Sequence, residues 1–281
     1  MRSLGPQLTR WTTQFVMACG AVLMAAPLVW MLETSFKPEG EVMSSTPHWL
    51  PGHPTLENYL SLFSPDHLEE FPVVRWFLNS VGISLVATLL VLAVASMAAY
   101  AFARLKFRYR EPLFFLVLST MMVPGQVMLI PVFLIVQKLG LFNTYPGIVL
   151  PGLGGAFGVF LLRQFFLQLP VELEEAAFLD GAGYFTIFSR IIVPLSKPAL
   201  AALAIFTFMA SWNDFVWPLI VTDDVAMRTL PVGLTIFQGR YTLQYGLTMA
   251  AAAVTTLPMI IAFLIFQKRI TEGIALQGLK G

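Results

Sequence analysis

The sequence predicts an all-α, polytopic membrane protein with six transmembrane helices. Composition is the first reason: 57% of the 281 residues are hydrophobic and only 12% are charged, far from the half-apolar, quarter-charged mixture of soluble domains. The second is length, because six stretches can cross a hydrocarbon core, which takes about 20 apolar residues: 15–32, 77–103, 112–136, 148–162, 198–220 and 247–266. The third is the distribution of Lys and Arg. With both ends cytoplasmic, twelve of the seventeen fall on the inner side and five, Lys37, Arg75, Lys138, Arg228 and Arg240, on the outer side, the bias expected of inner loops.

The first span follows Arg2 and Arg10 and imitates a signal peptide, but no small-x-small cleavage site follows Leu32, so it is read as a retained anchor. Cys19 lies inside it as a small apolar filler, and a single cysteine excludes an internal disulfide. A Pro- and His-rich outer loop comes next. It is too long for a turn and too small for an ordinary domain; Trp49, Leu50, Tyr59, Leu60, Leu62 and Phe63 suggest short amphipathic pieces at the membrane interface. His48, His53 and His67 share this loop without a compact ligand spacing, so plain loop residues are preferred to a metal site.

The second span ends in AYAFARLKFRYRE, read as an interfacial stop whose basic residues meet lipid headgroups. In the third, Pro124 and Pro131 predict a kink, which serves either a translocation path or ordinary packing. The fourth and shortest carries Gly154 and Gly158, a GxxxG pair that lets a neighbouring helix approach. Between the fourth and fifth spans lies EEAAFLDGAGYFTIFSRIIVPLSKPAL. Pro170 and the acidic Glu172, Glu174 and Glu175 suit the first turn of a helix running through Leu179. Leu173, Ala176, Ala177 and Asp180 share one face, and Gly181 and Gly183 end the helix in a turn. Tyr184, Ile187, Phe188 and Ile191 then form the apolar face of an amphipathic helix expected on the membrane surface, stopped by Pro194. A solvated linker would also be charged, but it would not need a helix, a glycine hinge, a second helix and a proline stop in succession.

The order Glu175, Ala176, Ala177, Gly181, Ile191, Val193, Pro194 resembles the EAA signature loop of the membrane-spanning subunits of binding-protein-dependent ABC importers, with Val where the family usually has Leu. ENYLSLF, RWFLNS, SWNDFVWPLIV, TLPVGL and the terminal MAAAAVTTLPMIIAFLIFQKRITEGIALQGLKG are similar to the carbohydrate-uptake subgroup, in particular to the smaller permease subunit of maltose-type importers. The resemblance covers nearly all of residues 33–281. It implies the type I ABC importer permease fold with both termini cytoplasmic. The chain then divides into an N-terminus with the first span (1–32), an extracytoplasmic loop (33–75), a core permease domain (76–267) carrying the coupling loop at 168–197, and a cytoplasmic tail (268–281). It also implies that Glu174, Glu175, Ala176, Ala177, Asp180, Gly181 and Pro194 couple to the ATPase. The implied partners are a second permease subunit in a heterodimer, two ATPase subunits, an extracytoplasmic sugar-binding protein, a sugar substrate and membrane lipid, in the cytoplasmic membrane of a bacterium or archaeon.

The chain itself offers no Walker A pattern and no Gly-rich phosphate cradle. No cofactor is therefore expected in it, ATP and Mg²⁺ being left to the partner ATPase. Its net charge of +1, spread over membrane-proximal loops, gives no reason to expect nucleic acid. In the fifth span Phe206, Met209 and Asn213 share a helix face and Asp214 follows, about 24 Å along a continuous helix from Pro198. Aromatic and amide groups suit a sugar passage, while a role in holding helices in place is the simpler reading of Asn213 and Asp214. The rival to the importer is a self-contained, ion-driven secondary transporter, which calls for inverted repeats and ionisable residues within the membrane. No convincing repeat is visible, and Asp214 stands alone. A membrane-embedded enzyme would need a buried catalytic constellation, and no catalytic spacing is found.

Overall fold

The structure, a computed structural model, describes residues 5–44, 48–65, 71–239 and 244–278. Arg2, His67, Arg240 and Lys280 lie outside the described residues, as does the end of the tail. Among the described residues every regular element is helical. Three segments are long and apolar enough to cross a membrane unbroken: Arg10–Ser35 within α1 (Gly5–Ser35), α4 (Val73–Arg104) and Tyr245–Ile265 within α16 (Tyr245–Gly278). Three further pairs qualify only as bent spans, so six crossings result if each pair counts once. The long span of α1 buries none of its most apolar stretch inside the chain, and Leu23 and Met24 are each 78% exposed. Such a surface is stable against lipid or another protein and not against water.

The chain forms two compact units. Unit 1 comprises Met1–Val73 and Leu234–Pro258. Here α2 (Glu39–Val42) and α3 (Glu57–Leu62) punctuate the loop after α1, and α15 (Thr235–Gly239) precedes α16. Asn58 donates its amide to the carbonyls of Ser35 and Lys37, both at 2.9 Å, and Ser35 Oγ meets Tyr59 Oη at 2.8 Å. The Glu39 carboxylate accepts from the backbone N–H of Tyr245 and Gly246 at 2.9 and 3.1 Å, placing an anion at the positive end of α16. Leu62 is buried, whereas Trp49, Leu50 and Leu60 are exposed, which fits the short amphipathic pieces expected of this loop. Among the described residues no group of three metal-ligating side chains forms.

Unit 2 comprises Val74–Gly233 and Met259–Gly281. After α4 come α5 (Arg110–Ser119), a 3-10 turn Thr120–Met122, α6 (Gly125–Lys138), α7 (Tyr145–Val149), a 3-10 turn Leu150–Gly154 and α8 (Ala156–Phe166). The coupling region holds α9 (Glu172–Leu179), α10 (Tyr184–Ile187), a π turn Phe188–Ile192 and α11 (Val193–Leu195). Then follow α12 (Lys197–Trp212), α13 (Val216–Val221), a 3-10 turn Val225–Met227 and α14 (Leu230–Gly233).

Several expectations change. The third span is not one kinked helix: its halves bend by 102°. Val123 before Pro124 is driven to extended backbone, so the break falls there, while Pro131 sits inside an unbroken α6. The fourth is bent by 47° at Gly155. Of the GxxxG pair only Gly158 makes a close approach, to Ala95 and Leu203; nothing lies near Gly154. The fifth is not a continuous helix from Pro198 to Ile220, because α12 stops at Trp212 and Asn213 and Asp214 lie in the gap before α13. The helix after Gly183 packs its apolar side on the rest of the chain. Ile187 and Ile192 are buried in one core with Ala99, Tyr100, Leu162 and Phe166, and the helical run passes through Pro194 to Leu195 before a 79° turn into α12.

Candidate functional site

The coupling segment is built with two different sides. Its first helix, α9, ends in a Schellman motif: Gly181 takes φ +82°, the Ala182 N–H reaches the Ala177 carbonyl at 2.9 Å and the Gly181 N–H the Phe178 carbonyl at 3.0 Å. Only glycine adopts that φ without strain, which explains the hinge position. Towards the bundle, Ala177 packs on the core and Glu174 is buried. On the other side Glu175, Ala176 and Asp180 are exposed, with Leu179 91% and Phe185 76% exposed. Of the face predicted from spacing, Leu173, Ala176 and Asp180 are open and Ala177 is not. Pro194, at the far end of the segment, is exposed.

Glu174 is held by residues that sequence reasoning assigned elsewhere. The Arg104 Nε lies 2.8 Å from its Oε1, and the Tyr100 hydroxyl donates to Oε2 at 3.3 Å. Arg104 also donates to the carbonyls of Phe166 and Leu169 at 2.7 and 2.6 Å. It is thus a buried clamp residue and not, as expected, part of a headgroup-facing stop. Arg163, also buried, donates from Nε to the Phe102 carbonyl at 3.2 Å and from Nη2 to both Glu111 carboxylate oxygens at 2.9 and 3.0 Å, its guanidinium 4.0 Å from the Phe114 ring centre. One signal could have found these residues: an arginine closing each of two spans, in a chain poor in charge, with acids available on the same side.

The tentative passage residues separate in space. Asp214 borders a cavity of about 210 Å³ together with Thr207, Ser211, Ile83, Ile148 and Pro218. Its Oδ1 accepts from the Trp217 N–H at 3.4 Å, at the start of α13. Met209 instead lines an apolar hollow with Leu85, Thr88 and Phe208, and Phe206 packs edge-on against Phe157. Asn213 is exposed and turns its amide back to the Met209 carbonyl at 2.9 Å, a local bond that helps close α12. The structure therefore gathers hydroxyls around Asp214, not the aromatic and amide face that helical spacing predicted.

At the other end of α4 the RWFLNS motif holds the loop before α14. The Trp76 indole donates to the Val225 carbonyl at 2.6 Å and the Asn79 amide to those of Ala226 and Arg228 at 2.8 and 2.9 Å. Asn79 Oδ1 accepts from Tyr145 Oη at 2.9 Å, and Ser80 Oγ from the Leu230 N–H at 2.8 Å. The Trp217 indole of SWNDFVWPLIV likewise reaches the Gly147 and Ile148 carbonyls, each at 3.2 Å.

Known proteins share this pattern. Residues 91–275 match the family described as the binding-protein-dependent transport system inner membrane component. The chain is 37% identical, over 100% of its length and 99% of the relative's, to the arabinooligosaccharides transport system permease protein AraQ of Halalkalibacterium halodurans. It is 35% identical to the trehalose/maltose transport system permease protein MalG of Thermococcus litoralis, covering 95% of this chain and 97% of that one. Its fold matches a chain in the crystal structure of a bacterial ABC transporter involved in import of the acidic polysaccharide alginate, with a TM-score of 0.84, 22% identity, and 95% and 98% coverage. By sequence and by fold, the chain belongs to the family of inner-membrane components of binding-protein-dependent transport systems, and it is a permease subunit, not an enzyme.

Proposed function

We infer that this chain forms half of the translocation pathway of an ATP-driven sugar importer. It pairs with a second permease subunit in the cytoplasmic membrane of a bacterium or archaeon, with both termini cytoplasmic. Two ATPase subunits bind ATP and Mg²⁺ and take the exposed side of the 168–197 loop. An extracytoplasmic sugar-binding protein delivers the substrate. The observation that carries this reading is the two-sided coupling segment: one face is buried in the bundle core, while Leu179 and Phe185 stand out in the open beside Glu175 and Asp180. Such a face suits cover by another protein, and a stiff helix joined to the core can pass a displacement inward. To swing a pathway from 1:99 to 99:1 the nucleotide must bias it by about 5.5 kcal/mol, which a loose linker cannot transmit. The saccharide-transporting relatives support a sugar as substrate, and Asp214, Thr207 and Ser211 offer hydroxyl-binding groups along the path.

Co-purification from cells expressing the neighbouring subunits tests this, comparing wild type with Glu175→Lys plus Gly181→Pro, and with Leu179→Asp alone. The expected outcome is that wild type brings down an ATPase whereas the variants reach the membrane without it. Substrate uptake by the chain alone, unaffected by either change, would establish the ion-driven rival instead.

A further inference from the structure

Two helices end close together here, and each is capped by the other. The last carbonyls of a helix have no partner within it and carry its negative dipole end. At the end of α8, Phe166 and the following Leu169 receive the Arg104 guanidinium of α4. In the last turn of α4, Phe102 receives the Arg163 guanidinium of α8. Arg163 further grips Glu111 at the start of α5, and Glu111 is shared with Arg110 at 3.1 Å. Arg104 has one remaining partner, and it is Glu174 on α9, 2.8 Å away. Both side chains of that pair are under 10% exposed, at 9% and 7%. The Tyr100 hydroxyl approaches the second Glu174 oxygen, and its ring lies 5.3 Å from Phe188 in the π turn of the same coupling segment.

We propose that Arg104 and Glu174 are the positioning pair through which the coupling helix drives the second and fourth spans, so that α9, the end of α4 and the end of α8 move as one body. This rests on the reading of 168–197 as the ATPase-coupling loop. Glu174 then acts inward, on the bundle, and Glu175 outward, on the partner. A buried ion pair contributes little stability over a well-packed apolar replacement. What it supplies is a fixed place: the guanidinium donates to two carbonyls and sets its Nε 2.8 Å from the carboxylate as an ion pair without an aligned hydrogen bond, and among the described residues neither charge has another charged partner to move to in a dry interior, whereas apolar contacts at the same place would let α9 slide.

The test uses the assembled importer in lipid, in a Cys19→Ser background with spin labels at Met97 on α4 and Glu172 on α9, both exposed. Wild type is expected to show one narrow distance, the same without nucleotide and with ATP and vanadate. Arg104→Gln combined with Glu174→Gln removes the pair without stranding a charge. That variant is expected to co-purify with the ATPase but to broaden the distance, and the stimulation of hydrolysis by the importer's binding protein should fall about tenfold. If both readouts match wild type, the proposal is overturned. Arg104→Lys keeps the charge but cannot reach three acceptors at once. An unchanged distance there overturns the proposal too, should the double variant fail to assemble. If wild type binds no ATPase, the importer reading fails by itself, and the nucleotide-free distances of wild type and Arg104→Lys still decide whether the clamp exists.

Discussion

The two ends of α4 are fastened by opposite chemistries. At the Trp76 end the fasteners are neutral: indole, amide and hydroxyl groups bonded to the backbone of residues 225–230. At the Arg104 end they are charged, and they reach the coupling helix. Neutral bonds to backbone hold a loop in place whatever its side chains are. A buried charge pair depends on both partners at once, because removing one strands the other in a medium that cannot solvate it. The end of α4 that is to receive motion is thus the end that tolerates least slack.

The sharpest way to break this contrast is Arg104→Ala. It leaves Glu174 buried and the Phe166 and Leu169 carbonyls uncapped, a loss of about 3–5 kcal/mol, to be read as a large fall in the thermal midpoint of the detergent-solubilised protein. At the neutral end the largest effect comes from packing. A Cβ on Gly233 would fall inside the Trp76 indole, so Gly233→Ala should cost about 2 kcal/mol by overpacking. Asn79→Ala comes next. It strips a partner from the Ala226 and Arg228 carbonyls and the Tyr145 hydroxyl, for about 1–2 kcal/mol, and limited proteolysis should cut within 223–229 sooner. Gly181→Ala forces an L side chain to φ +82° at about 1 kcal/mol. Unlike Arg104→Ala, it should loosen the turn after α9 while the Arg104–Glu174 pair stays closed, as proteolysis near residue 181 would show.

The smallest effect is expected in the water-exposed loop of unit 1. Backbone N–H donation from Gly52 at 2.6 Å holds the Glu41 carboxyl below its ordinary value against the opposing effect of desolvation, with a weaker lowering contribution from the His53 N–H. A depressed carboxyl binds its proton more weakly in the folded state than in the unfolded one. The stabilisation is therefore present above the ordinary carboxylate pKa and is lost as the pH falls through the folded value. Amide exchange at Gly52 should accelerate, relative to the pH trend of Glu41→Gln, as the pH falls through the ordinary carboxylate range and below it. A flat difference would show that the contact is not held in solution.

Much of the coupling segment was legible in one dimension. Gly181, the acidic first turn and the helix to Leu179 follow from local rules, since a helix end and a left-handed turn involve neighbours a few residues apart. Glu174 was legible as acidic but not as buried, because its partner lies 70 positions earlier and nothing local distinguishes it from Glu175. The passage residues misled for a related reason. Phe206 and Met209 lie on α12 and Asn213 in the gap after it, whereas Thr207, Ser211 and Asp214 follow i, i+4, i+7 spacing on a neighbouring face and line one cavity. Pro124 and Pro131 look alike in sequence. One ends a helix because the residue before it turns extended, and the other is absorbed within α6.

By itself the sequence determined the solvent, the number of apolar stretches, the helix–glycine–helix order of the coupling loop and, through its motifs, the family. These depend on composition and short-range spacing, which a chain carries before it folds. Only the tertiary structure decided where three of the spans break, which side of α9 is buried, and that Arg104 and Arg163 cap each other's helices. The last two outcomes depend on contacts between residues 61 to 74 positions apart, and such contacts exist only once packing has excluded water and made every unpaired charge costly.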